Sequence, residues 1–123
     1  MIHLNTKVRR AVPQDHYQIA NLLFHESHTH RHLDWRSVLD WLGTQNFWVL
    51  DEHGFITAAF ACPEDPQDIA WIRLFTYHPH LDLREAWSAL WESAQAEIFQ
   101  NNPNAKVSAI ILKSWFQEIL LQN

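Results

Sequence analysis

The stretch Ile69–Trp91, IAWIRLFTYHPHLDLREAWSALW, decides the fold, because it joins an apolar strand to an amphipathic helix through a turn at Pro79. The start of a helix offers unpaired backbone N–H groups and a partial positive charge, so junctions of this kind hold anionic ligands. The turn from Pro79 to Arg84 contains no glycine, so a backbone cradle around a pyrophosphate does not follow from the sequence. The junction therefore predicts a ligand site without specifying its chemistry.

The length and composition predict a single globular domain over residues 1–123, with 47% hydrophobic and 19% charged residues. The sequence has no apolar run near the roughly 18 residues of a membrane span, and its start lacks the apolar core of a secretory signal. The single cysteine, Cys62, cannot form an internal disulfide, and the net charge of −5 argues against binding to phosphate backbones. We therefore expect a cytoplasmic protein that binds neither membrane nor nucleic acid.

The spacing of apolar residues and turn signals predicts alternating strands and helices. We expect the strand at 106–112 to run parallel to the strand at 69–77, because a helix connects them. The resulting fold class is α/β (α+β), a mixed but mostly antiparallel sheet flanked by helices, in the order β-α-α-β-β-β-α-β-α. The predicted elements are strand 6–12, helix 13–27, helix 34–43 capped by Asp34, hairpin strands 46–51 and 55–62, strand 69–77, a helix between Pro79 and Asn101, strand 106–112 and helix 114–121.

This order of elements resembles that of the GNAT superfamily of acyl-CoA-dependent N-acetyltransferases over the whole chain. The segments VRRAVPQDHYQIANLL and YHP…SALW are similar to the family's opening strand and helix and to the exit of its fourth strand. The resemblance implies acetyl-CoA as cosubstrate, no metal, and a small-molecule or peptide amine as acceptor; we also expect that the domain can form a homodimer. It further implies that the family's last two strands are missing from this chain.

The resemblance also assigns site residues. It implies that the fourth strand lays its backbone against the pantetheine arm at Phe75, Thr76 and Tyr77, and that the pyrophosphate turn includes Leu83, Arg84 and Glu85. Apart from the resemblance, Tyr77 and His78 at the exit of this strand are candidate catalytic residues, with Tyr77 as a general acid for the thiolate. Residues 83, 85 and 87 stand about where the family has glycines, and the last helix, SWFQEILLQN, lacks its tyrosine. These departures keep an alternative open, a non-catalytic interaction or dimerisation module that has lost CoA binding.

The histidine-rich stretch 25–32, HESHTHRH, is the most conspicuous polar cluster. Imidazoles at this spacing can bind zinc or nickel, but the pattern matches no defined zinc motif, so we predict no metal site. In the resembled fold the corresponding link borders the acceptor pocket. His28 or His30 is therefore the candidate base that deprotonates the incoming ammonium, because histidine titrates near neutral pH.

The remaining unusual residues are predicted to be structural. Arg73 lies in an otherwise apolar strand, so we expect it to meet the acidic loop CPEDPQD or a water-filled cleft. Trp87 and Trp91 lie one helical turn apart and are predicted to pack on the sheet. Cys62 has no histidine–carboxylate pattern around it, and we expect it to be buried and unreactive.

Overall fold

The computed structural model describes residues 6–25, 29–31, 37–109 and 114–122 as two sheets flanked by helices. A five-stranded antiparallel sheet has the order β1-β3-β4-β6-β2, and β5 pairs with β7 in parallel. This architecture confirms the predicted mixed, mostly antiparallel α+β class. In chain order the elements are β1 (Thr6–Arg10), α1 (His16–His25), β2 (Thr29–Arg31), β3 (Phe47–Glu52), β4 (Phe55–Ala61), β5 (Ile69–Trp71), β6 (Leu74–Tyr77), α2 (Leu83–Asn101), β7 (Lys106–Ser108) and α3 (Ser114–Leu121), with 3-10 helices at Pro13–Asp15 and Val38–Trp41.

The β3–β4 hairpin forms as its turn residues predict. His53 and Gly54 have φ values of 54° and 88°, and two successive residues with positive φ are typical of the tight turn that matches strand twist. The Asp51 carboxylate accepts a hydrogen bond of 2.7 Å from the Gly54 N–H and so stabilises the turn. The predicted hairpin is confirmed.

A β-bulge interrupts the β3–β4 hairpin directly beyond the two residue pairs nearest the turn. Leu50 pairs with Ala58 while Asp51 pairs with Ile56, so Thr57 is an extra residue on β4. A bulge of this kind breaks the alternation of side chains and directs two successive residues to one face. Both Ile56 and Thr57 accordingly line the space beneath α1.

The two faces of the sheet have different cores. On the face covered by α2 and α3 the core is aromatic: Trp87 is 1% exposed, and its ring meets Phe60 edge-to-face at 5.4 Å and stacks on Trp91 at 5.6 Å. The predicted packing of these two tryptophans is confirmed. On the face covered by α1 the core is mainly aliphatic, with Phe47 as its one buried aromatic residue among those described, and its other buried residues include Ile19, Leu22, Val49, Ile56, Ala59, Ala61 and Leu74.

The strand predicted over Ile69–Tyr77 is wrong as a single element, because it changes partner at its centre. Ile72 N–H donates to the Ser108 carbonyl at 2.8 Å, whereas the next residue, Arg73, donates from its N–H to the Ala61 carbonyl at 2.8 Å. β5 thus belongs with β7 and β6 with β4. The Arg73 guanidinium meets the acidic loop through the backbone carbonyl of Asp65 at 2.9 Å and lies 4.9 Å from the centre of the Trp41 ring.

Two other predictions need correction. Residues 29–31, expected in a polar link, form β2 and pair antiparallel with β6, which gives the second edge of β6 a hydrogen-bonding partner. The helix expected over 34–43 appears, within the described residues, as the short 3-10 helix Val38–Trp41. Ser37 has extended backbone angles and caps this helix by accepting the Leu39 N–H, so no helix continues through residue 37. The proposed cap at Asp34 lies outside the described residues.

The C-terminal elements agree with the sequence more closely. α2 begins at Leu83 and ends at Asn101, α3 spans the predicted residues 114–121, and β7 is parallel to β5. β7 ends at Ser108, earlier than the predicted strand, and residues 110–113 lie outside the description. Within the described part of the chain, no helix is both long enough and apolar enough to cross a membrane.

Candidate functional site

The end of β6 brings together the residues that the resemblance assigned to the cosubstrate. Phe75 and Thr76 are fully buried, and Tyr77 is 8% exposed. The Tyr77 ring stacks on Phe75, with centroids 5.7 Å apart, and packs edge-on against Trp115 of α3 at 5.9 Å. Tyr77 is therefore held by aromatic contacts at the margin of the larger core.

Both edges of β6 are paired. One edge pairs with β4, and on the other Thr29 lies opposite Thr76, with their hydroxyl oxygens 2.7 Å apart. Within the described residues this β2 pairing runs from Thr76 to Leu74. The backbone edge that the resemblance assigns to a pantetheine arm is therefore covered by the chain's own β2 over residues 74–76.

His30 fills the space beside the break between β5 and β6. Its side chain is buried with only 2% of the residue exposed, and its Nε2 lies 3.0 Å from the Ile72 carbonyl oxygen. Because a carbonyl only accepts, Nε2 is the protonated nitrogen. The ring stacks on Phe116 of α3 with centroids 4.1 Å apart. The role of His30 as a base stays a prediction, and His28 lies outside the described residues.

The start of α2 carries the residues assigned to the pyrophosphate turn. Asp82 caps the helix, and its carboxylate accepts the Glu85 N–H at 3.0 Å. Arg84 is exposed in the first turn, while Leu83 is half-buried against the aromatic core. One of the backbone N–H groups at the start of α2 is thus already bound to a carboxylate. Arg84 is the cationic side chain closest in sequence to this helix start. A diphosphate at this end would depend on Arg84 for charge compensation.

A cavity of about 480 Å³ lies between α1, the start of β4 and the loop after β6. Gln18 anchors α1 here, because its side chain donates to the Gly54 carbonyl at 3.0 Å and accepts the Ile56 N–H at 2.8 Å. These two bonds tie the helix to the hairpin and hold the cavity's width. The lining residues are Gln18, Asn21, Leu22, His25, Phe55, Ile56, Thr57, His78 and His80.

Two histidines on the cavity rim form a chain with a carboxylate. His78 Nδ1 accepts the His80 backbone N–H at 3.2 Å, and the Nδ1 atoms of the two rings lie in contact. His80 Nε2 donates to the Glu52 carboxylate at 3.0 Å. Because Nδ1 of His78 is an acceptor, a neutral His78 carries its proton on Nε2.

An ion-pair cluster holds the start of α1 against the sheet. The Arg9 guanidinium donates to both oxygens of Asp15, at 2.8 and 2.9 Å, and to Asp51 at 2.9 Å. Burial alone would raise the pKa of Asp15, but hydrogen bonds from Arg9 and from the Val12 N–H outweigh it and hold that pKa below its usual value. The Arg9 hydrogen bond likewise lowers the pKa of Asp51.

Nucleophilic and metal chemistry find no support in the described residues. Cys62 is buried as predicted, and burial raises the pKa of its thiol to about 12, so it remains protonated. No three histidine, cysteine, aspartate or glutamate side chains among residues 6–25, 29–31, 37–109 and 114–122 are arranged to hold a metal ion.

Reasoning from the sequence missed most of the cavity. The bulge that presents Thr57 has no signature in the apolar run FITAAFAC. The pair His78 and His80, which flank Pro79, is the one signal that could have been found. Two histidines on either side of a proline in a tight turn lie close together, as the 4.5 Å between their ring centroids shows.

No family model matches the sequence, and comparison with curated protein sequences gives no match. Among solved structures, the chain has the fold of the GNAT acetyltransferases. It is similar to a diaminobutyrate acetyltransferase from Paenibacillus lautus, solved with L-2,4-diaminobutyric acid and coenzyme A, with a TM-score of 0.68 at 12% identity over 95% of this chain and 73% of that one. The predicted resemblance is confirmed for the fold.

Two further structures agree. An aminoglycoside acetyltransferase from a soil metagenome has a TM-score of 0.61 at 15% identity, with 99% of this chain and 88% of that chain covered. An N-acetylglutamate synthase from Neisseria gonorrhoeae, complexed with coenzyme A and N-acetyl-glutamate, has a TM-score of 0.60 at 19% identity. The match covers 95% of this chain but 28% of the synthase chain. At these identities the likeness establishes the fold, and activity is a separate question.

Proposed function

We propose that the domain is an acetyl-CoA-dependent N-acetyltransferase that acts on the amine of a small molecule or peptide. The observation that supports this proposal is the divergence of the strand at Ile72 and Arg73, where it leaves β7 and joins β4 within a GNAT fold. Similar structures contain coenzyme A together with L-2,4-diaminobutyric acid as substrate or with N-acetyl-glutamate. Acetyl-CoA would supply an activated acetyl group as its thioester.

The chain's own groups would act mainly by positioning and by polarising the thioester carbonyl. A backbone N–H near Thr76 or Tyr77 is the proposed donor to that carbonyl, and the Tyr77 hydroxyl is the proposed acid for the departing thiolate. Arg84 would neutralise diphosphate charge beside Glu85. His28 and His30 are the proposed bases; His30 would first have to release the Ile72 carbonyl and leave its ring stack.

A second candidate is a GNAT-fold module that no longer binds CoA and serves in interaction or dimerisation. The specific observation that favours it is the β2 pairing, which covers β6 over residues 74–76. The carboxylate cap of Asp82 and the adjacent Glu85 also oppose an anion at the start of α2. For the first candidate to hold, β2 must leave this edge when the cosubstrate binds.

Calorimetric titration with acetyl-CoA tests the first candidate. We expect saturable binding in the parent, weakened about tenfold or more by Arg84→Glu, because that change reverses the charge nearest the diphosphate. Lys106→Glu, at an exposed position on β7, is the matched control for charge reversal and should bind like the parent. Absence of heat at millimolar acetyl-CoA in the parent rules out the enzyme proposal for this chain unless freeing β6 restores binding.

A reversible disulfide between β2 and β6 tests whether β2 must leave this edge before acetyl-CoA binds. Thr29 and Thr76 are cross-strand partners whose side chains already touch, so Thr29→Cys/Thr76→Cys places two thiols at disulfide distance. We expect the oxidised form to lose acetyl-CoA binding and the reduced form to regain it. Equal binding by both forms would show that the cosubstrate does not use this edge. Thr29→Pro is a further variant that frees the edge of β6, because proline cannot donate a hydrogen bond between strands. If the parent, the reduced double-cysteine variant and Thr29→Pro all fail to bind acetyl-CoA, the non-catalytic module is favoured. Sedimentation would then detect the homodimer expected of such a module.

A further inference from the structure

The wall of the cavity beneath α1 is built by the β-bulge at Thr57. The backbone carbonyl of Thr57 accepts the His78 N–H at 2.8 Å, but its hydroxyl, although shielded from water, has no hydrogen-bond partner in the described structure. The residue is 8% exposed and lines the cavity. An unsatisfied buried hydroxyl is destabilising, and a ligand oxygen would give it the missing acceptor once the cavity wall adjusts to admit it.

The polar groups around this hydroxyl are mainly donors. His78 Nδ1 accepts the His80 backbone N–H, so the proton of a neutral His78 lies on Nε2. His80 and, on α1, His25 add two further imidazoles. None of the described residues that line the cavity is acidic, and Glu52, behind the rim, is already paired with His80. The site therefore favours an anionic acceptor over a cationic amine.

The rest of the cavity combines the amides of Gln18 and Asn21 with an apolar wall and is of ligand size. Leu22, Phe55 and Ile56 form that wall, and Phe55 is 71% exposed, so its ring is accessible to a ligand. The volume of about 480 Å³ lies within the range of about 300–1,000 Å³ found for small-molecule sites. An apolar wall with donors at one end matches a small molecule that has an apolar body and an anionic head.

We propose that this cavity binds a small organic carboxylate, whose oxygens accept hydrogen bonds from the Thr57 hydroxyl and the His78 imidazole while its apolar part packs on Phe55. The site stands apart from the covered edge of β6. Carboxylate binding would persist if the chain proved unable to bind acetyl-CoA, so the two proposals can fail separately.

Three probes of one size test the charge preference. Phenylacetate, phenylacetamide and phenethylammonium share an aromatic body and differ in head group. In NMR titrations of the full chain, we expect phenylacetate to bind at millimolar concentration and to shift the amides of β4 and of residues 78–80. Phenylacetamide should bind about tenfold more weakly, which corresponds to loss of one charge-assisted hydrogen bond. Phenethylammonium bound as tightly as phenylacetate, or no phenylacetate binding at about 10 mM, overturns the proposal.

Matched variants locate the site. Thr57→Val removes the hydroxyl with little change of shape, and His78→Gln removes the imidazole; each should weaken phenylacetate binding about fivefold or more. Thr6→Val removes another shielded hydroxyl, one without a partner among the described residues, and His16→Gln changes an exposed histidine on α1. Neither residue lines the cavity, and neither change should affect binding. Parent-like affinity in either cavity variant, or an equal loss in the controls, overturns the assignment.

Discussion

The two faces of the sheet differ in what their side chains do. The face under α2 and α3 is filled by interlocking rings around Trp87, Phe60 and Phe75, whose buried area stabilises the fold. The face under α1 has an aliphatic centre, but toward the hairpin it opens into a cavity with the hydroxyl of Thr57 and the imidazole of His78. The contrast suggests that one face provides stability while the other gives up some stability for a binding site.

Trp87→Ala should have the largest effect, because it removes the central ring of the aromatic face. We expect the free energy of unfolding to fall by about 3–5 kcal/mol, from lost burial and the cavity left behind. Urea denaturation measures this loss. Trp91→Ala is the matched variant one turn later, and its half-buried ring should cost clearly less. Equal losses would mean that the two rings contribute alike and that the core is not centred on Trp87.

Arg9→Ala tests the α1 face of the sheet, where an ion-pair cluster holds the start of α1 in place. It leaves the buried carboxylate of Asp15 without its main partner, and we expect a loss of about 2 kcal/mol in the free energy of unfolding. Arg10→Ala is the neighbouring control, because its partner Glu97 is on α2 and Arg10 itself is largely exposed. A control loss as large as that of Arg9→Ala would contradict the assignment.

Low pH should weaken the contacts on the α1 face of the sheet before those on the aromatic face. The pKa values of Asp15 and Asp51 are held below their usual value, so their contribution is complete above the unfolded pKa near 3.9 and is lost as pH falls through the folded values. We expect the unfolding free energy to drop below about pH 4, and the difference between parent and Arg9→Ala to shrink there. A difference that stays constant down to pH 2 would show that these carboxylates are not coupled to Arg9.

The aromatic face could be predicted from the sequence because its signals are local. Apolar spacing located α2, and the turn at His53 and Gly54 located the hairpin. The α1 side depends on contacts distant along the chain, such as Gln18 with Ile56 and Glu52 with His80, which periodicity does not encode. β2 was missed for the same reason, because three polar residues become a strand only beside the free edge of β6.

Thr57→Val sharpens the comparison most directly, although its effect is the smallest. If the cavity face gives up stability for binding, removal of the unpaired hydroxyl should raise the free energy of unfolding by up to about 1 kcal/mol in the absence of ligand.

Thr76→Val is the matched change in a neighbouring strand, and it should instead lower the free energy of unfolding by about 1 kcal/mol, because the Thr76 hydroxyl bonds to Thr29. Denaturation of both variants, with and without phenylacetate, separates the two cases: added phenylacetate should stabilise the parent and Thr76→Val more than Thr57→Val. A destabilised Thr57→Val would mean that the hydroxyl is already satisfied in the folded chain, and the α1 face would then be a second structural core.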